Sequence, residues 1–173
     1  MTITLHDAVV RPFIQTVGAI GVVLDRGLSH CIDNNIDPQE IVKTRLHPEM
    51  LPFRFQVLSV VHHSIGAIEE VHAGVSTPPT SIEPLDYAGL QKKVADAVAA
   101  LKELDPADVN ALEGRDMLFQ MGEMKIPFTA EGFLLSFSLP NLHFHATTTY
   151  DILRQKGAPL GKRDYLGQMR VRT

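Results

Sequence analysis

The sequence predicts an all-α protein, a four-helix bundle with one small β-hairpin before its last helix. Three observations point there. Four long segments carry apolar residues at helical steps of three and four. Proline, glycine and capping residues separate them. One stretch late in the chain switches to an apolar period of two. The 173 residues suit a single domain spanning 1–173.

The first helix runs from about Leu5 to Asp33, with Val10, Phe13, Val17, Ile20, Leu24 and Cys31 on one face. Asn34-Asn35-Ile36-Asp37-Pro38 stops it, and Asp37 caps a short helical piece with Pro38 in its first position. A second long helix spans about Pro52 to His72, with a stripe of Leu58, Val61, Ile65 and Ile68. Gly74 and Ser76-Thr77-Pro78-Pro79-Thr80 end it in a rigid loop. The third helix shows Leu90, Val94, Ala97, Leu101 and Leu104, closed by Asp105-Pro106. From Met117 to Phe128 the period is two on both sides of Gly122-Glu123, which fits a hairpin with a type II′ turn. Pro127 lacks a donor, so its strand belongs at an edge. Thr129 caps a fourth helix reaching about Lys156, which Pro140 should kink. The Gly-rich, basic tail from Gly157 to Thr173 reads as extended coil lying across the bundle.

Composition removes several classes of function. Apolar residues make up 45% and charged residues 21%, which excludes a disordered chain. A net charge of -4 gives no general attraction to nucleic acid or an anionic membrane, and neither is expected as a partner. The segment Met1 to Asp7 lacks the basic and small-residue marks of a signal peptide. The stretch Phe13 to Leu24 is too short for a membrane span. One cysteine, Cys31, suits a reducing compartment, so a cytoplasmic location is expected.

Eight histidines invite placement on their helices. At about 100° per residue, the second-helix stripe leaves His63 on the solvated side and His62 on a flank facing the core. On the fourth helix, Leu134, Phe137, Asn141, His145, Thr148 and Ile152 form an inward ladder, and His143 points elsewhere. His62, Asn141 and His145 thus form a candidate pocket between two helices, with His6 at its end. One reading is a divalent metal held by His62 and His145, with Asn141 or water completing the shell. The other is a buried Asn141–His145 hydrogen bond that fixes helix register. A small apolar or anionic ligand could use the same pocket without metal. Lys162, Arg163, Arg170 and Arg172 form a basic tail, either solvated or in contact with an anion.

The segment LPNLHFHATTTYDILRQKGAPLGKRDYLG is similar to the C-terminal signature of the DUF1993 family. LHDAVVRPFIQTV and RLHPEMLPFRFQV resemble that family as well, so the likeness covers nearly the whole chain. DUF1993 lies within the DinB/YfiT-like superfamily, and the resemblance implies a four-helix bundle of that type, often paired as a homodimer. It also implies a divalent metal, zinc or nickel, held by one histidine of the second helix and two of the fourth at i and i+4. Several members of that superfamily are transferases or isomerases that act with a low-molecular-weight thiol, so the resemblance implies such an activity as one alternative here. Carried over by position, His145 matches the second histidine of the fourth-helix pair and His62 the second-helix ligand. Asn141 stands where the remaining histidine would be.

Overall fold

The computed structural model describes residues 2–79 and 81–172. Met1, Thr80 and Thr173, at the start, in the Pro-rich loop and at the end of the tail, lie outside the described residues. The chain is mostly helical. Thr4 accepts a hydrogen bond from the Asp7 amide and starts α1, Leu5–Asp33. Asp37 caps α2, Pro38–Lys43, through the Gln39 amide. The second long helical segment is continuous but not uniform. It begins as α3, Phe53–Val61, widens into a π-helical turn at His62–Gly66, and resumes as α4, Ala67–Ala73. Asp86 caps α5, Tyr87–Glu103, and Asp105 caps the short α6, Pro106–Asn110. After the hairpin, Thr129 caps α7, Ala130–Phe133. That segment also widens, at Leu134–Ser138, before α8, Leu139–Gln155.

The interruption at Pro140 therefore takes the form of a π turn just before it. A proline ring collides with the carbonyl four residues back, here that of Ser136. A wider turn moves that carbonyl out of the ring's way. In the hairpin, β2, Asp116–Met121, pairs antiparallel with β3, Met124–Thr129. Gly122 alone supplies the positive φ, 58°, that a type II′ turn requires.

The sheet and the tail differ from the sequence reading. Residues Val75–Ser76, expected in a loop, form β1 and lie parallel to β2, so the sheet has three strands in the order β1-β2-β3. Pro127 does sit on an edge strand. The tail is not all extended: Lys162–Leu166 form α9, whose Asp164 carboxylate accepts from the Gly161 amide at 2.8 Å.

α1 packs on α5 and α8, and α3 packs on the same two helices. The buried apolar side chains form one continuous cluster, including every residue of the expected α1 face. α1 is apolar enough over one window to cross a membrane by length and composition alone, but half of that window is buried inside the protein. The second-helix stripe falls elsewhere than expected. Phe53, Val57, Val60, Ala67, Ile68 and Val71 are buried, whereas Leu58, Val61 and Ile65 are only partly so.

Candidate functional site

That shift in the buried face decides which histidine meets α8. His63 follows Gln56 by seven residues and Val60 by three, so it continues the buried face rather than opposing it. The expectation of a solvated His63 is corrected accordingly. Its ring lies nearly parallel to that of His145, at 3°, with centroids 5.6 Å apart, and edge-on to Phe137 at 5.8 Å. His62 turns away. It faces Glu70, with Nε2 to Oε1 3.8 Å, and lines a small cleft of about 160 Å3 with Phe55, Pro79 and Ile82. The two histidines still touch, with centroids 4.8 Å apart. Phe55 joins cleft to cluster, its ring 5.7 Å from that of His145.

His145 sits where the α8 ladder placed it, and its principal partner comes from a residue the sequence reading passed over. Gln56 is 2% exposed. Its Nε2 donates to the Leu51 carbonyl at 2.8 Å, which turns Oε1 toward His145 Nδ1, also at 2.8 Å. An amide oxygen only accepts, so His145 Nδ1 carries the proton and Nε2 keeps a lone pair. The signal for Gln56 was available: it lies three residues after Phe53 and four before Val60, on a buried stripe.

Asn141 does not bond to His145. Its Nδ2 donates to the Phe137 carbonyl at 2.8 Å, within its own helix. This satisfies an acceptor at the edge of the π turn and leaves Oδ1 without a hydrogen bond among the described residues. One turn earlier, the Ser138 hydroxyl is buried without a partner among those residues. His143 points elsewhere, as expected, toward the Tyr165 hydroxyl at 3.4 Å. His6 is fixed at the start of α1 by its backbone, whose amide donates to Asn110 Oδ1 at 2.9 Å.

Burial dominates the electrostatics. It pushes the His63 imidazolium pKa down to about 3, helped by the nearby charges of His62 and His145. His145 falls to about 4, by burial and then by the charge of His62. Burial lowers His62 as well and raises the Glu70 carboxyl. Both stacked rings are therefore neutral at physiological pH, presenting lone pairs and N–H donors but no charge. As general bases at neutral pH they are weak.

The donor set does not fit the three-histidine metal arrangement that the resemblance implies. Among the described residues, no group of three or more His, Cys, Asp or Glu side chains is placed to hold a metal ion. Asn141 offers only an amide oxygen, a poor ligand for zinc.

The chain belongs to the DUF1993 family, whose model, "Domain of unknown function (DUF1993)", matches residues 5–166. In fold it is similar to a DinB family member protein from Shewanella denitrificans, known from a crystal structure at 1.83 Å resolution. The two align with a TM-score of 0.80 over 98% of this chain and 95% of that one, at 22% identity, a likeness of fold alone. No curated protein matches the chain.

Proposed function

We propose that this chain is a four-helix bundle of DinB/YfiT-like type whose His/Asn pocket is a degenerate metal site, serving to bind a small uncharged ligand by hydrogen bonds. The observation that carries the reading is the Gln56–His145 contact beside a neutral His63. It fixes one imidazole tautomer and leaves the other His145 nitrogen without a hydrogen bond among the described residues, the pattern of a site built to orient a ligand rather than to close a core. The packing of α1 and α3 against both α5 and α8 supports the bundle architecture. The single buried cysteine and the family resemblance support a cytoplasmic homodimer.

A divalent-metal site is the second reading, because a ligating histidine also has its far nitrogen held by a hydrogen bond, as Gln56 holds His145. His145 Nε2 would then be one ligand, with His63 or His62 and the Asn141 amide oxygen beside it. A thiol-using transferase or isomerase would follow from that reading. Elemental analysis of untagged protein, before and after loading with zinc or nickel, separates the two. The proposed reading expects metal well below stoichiometric in both states, with no change in His145→Ala. About one metal per chain that resists dialysis and is lost in His145→Ala would replace it with the metalloenzyme reading.

A further inference from the structure

A larger cavity, of about 580 Å3, shares no residue with the histidine site. Its walls are α1, the end of α5, and the last residues of the tail. The tail reaches α1 because Gly167 lets it. Gly167 has φ +60°, and a β carbon there would lie 2.9 Å from Ala19 Cβ and 3.2 Å from the Gln15 carbonyl oxygen. Gln15 Nε2 also anchors the crossing by donating to the Leu166 carbonyl at 2.8 Å. Beyond it, Met169 and Val171 stay 58% and 69% exposed and line the cavity with Val22, itself 48% exposed.

Gly18, in the middle of α1, forms part of the floor. Glycine inside a helix costs about 0.5–1 kcal/mol against alanine, so it calls for a reason. Gly27 has one, since a β carbon there would lie 2.5 Å from the Tyr87 hydroxyl. Gly18 has no packing reason and no unusual φ: a β carbon there would meet nothing within 4 Å. What its missing side chain provides is room.

The charges around that room are of one sign. Among the described residues, Arg11, Lys102 and Arg170 line the cavity and no carboxylate side chain does, in a chain of net charge -4. Arg11 is shared with Asp7 at 2.8 Å, whereas Lys102 and Arg170 have no ion pair among the described residues. We propose that this cavity binds an anionic amphiphile of the fatty-carboxylate class, with its chain over Gly18 and its head group on the lysine and arginine side chains.

Calorimetric titration of the full chain with decanoate tests this, with decyltrimethylammonium as a probe of equal chain length and opposite charge. Decanoate should bind about tenfold or more tightly than the cation. Gly18→Leu, whose β carbon enters open space, should weaken decanoate about tenfold or more while the helical circular dichroism is retained. The Lys102→Glu/Arg170→Glu variant should lose the preference for the anion. Absence of decanoate binding, equal affinity for both probes, or binding unchanged by Gly18→Leu would overturn the proposal. So would a concentration-dependent dimer that Gly18→Leu dissociates, because the cavity would then belong to a second copy of the chain.

Discussion

Tyr87 and His145 each carry a hydrogen bond from one helix to another, buried at Tyr87 and part-buried at His145. The Tyr87 hydroxyl donates to the Leu24 carbonyl at 2.8 Å, its ring packs on Phe53 at 6.0 Å, and Gly27 makes way for it on α1. That hydroxyl's proton is fully used, and burial holds the phenol well above its usual titration range. His145 spends one nitrogen on Gln56 and keeps the other, beside His63, and the same helical segment holds a Ser138 hydroxyl without a partner among the described residues. Two π-helical turns, at His62–Gly66 and Leu134–Ser138, contribute to this region, while α1 and α5 run as regular helices at the other. The closed region specifies packing. The open one stores polar capacity in wider turns, where functional sites are often found.

The sharpest way to break the closed region is Gly27→Ala. The new β carbon would press on the Tyr87 hydroxyl and on both Leu153 methyls, at 2.8 and 2.9 Å. Overpacking of this kind should cost about 3 kcal/mol and lower the melting temperature by about 9 °C. At the open region, Gln56→Leu should cost about 2 kcal/mol in a urea melt. It strips an acceptor from a part-buried His145 N–H and a donor from the Leu51 carbonyl. An unchanged melt would mean that the contact does not lock α3 to α8.

Acid should separate the regions next. His63 and His145 have folded pKa values of about 3 and about 4, below the 6.5 of a free imidazole. Between these values the unfolded chain binds protons that the folded chain refuses. Their contribution is therefore complete above pH 6.5 and falls as pH drops toward 4. Glu70, whose carboxyl is raised, works in the opposite sense near and above 4.5. The melting temperature should fall between pH 7 and pH 5, and His63→Phe should narrow that fall. A fall of the same size in the variant would locate the acid sensitivity elsewhere.

The contrast also explains what could be read from the chain alone. The α1 face, the Asp37-Pro38 start, the Gly122 turn and the Thr129 cap were legible because each is decided by a residue and its near neighbours. The face of the second helix was not. Leu58, Val61 and Ile65 make a clean apolar stripe, yet Phe53, Gln56, Val57 and Val60 are the residues buried, because α5 and α8 choose the face. That one rotation exchanged the roles of His62 and His63. The π turn at His62–Gly66 left only a faint mark, the Ser64 hydroxyl back-bonded to the Val60 carbonyl at 2.8 Å. The Asn141–His145 pair failed for a related reason: the π turn before Pro140 offered Asn141 a nearer carbonyl.

The smallest expected effect sets two glycines of one helix against each other. Gly18→Ala, with open space at its β carbon, should stabilise by about 0.5–1 kcal/mol through helix propensity alone. The same change at Gly27 should destabilise. Thermal melts of the two variants side by side check the sign, and a loss at Gly18 would show that its space is not free.

The most direct test of the open region is long-range nitrogen–proton NMR of the histidine rings, followed from pH 7.5 downward. His145 should show the Nδ1–H tautomer, and neither it nor His63 should take a proton above about pH 5. A His145 in the other tautomer, or either ring titrating near 6.5, would contradict a site built on two neutral imidazoles.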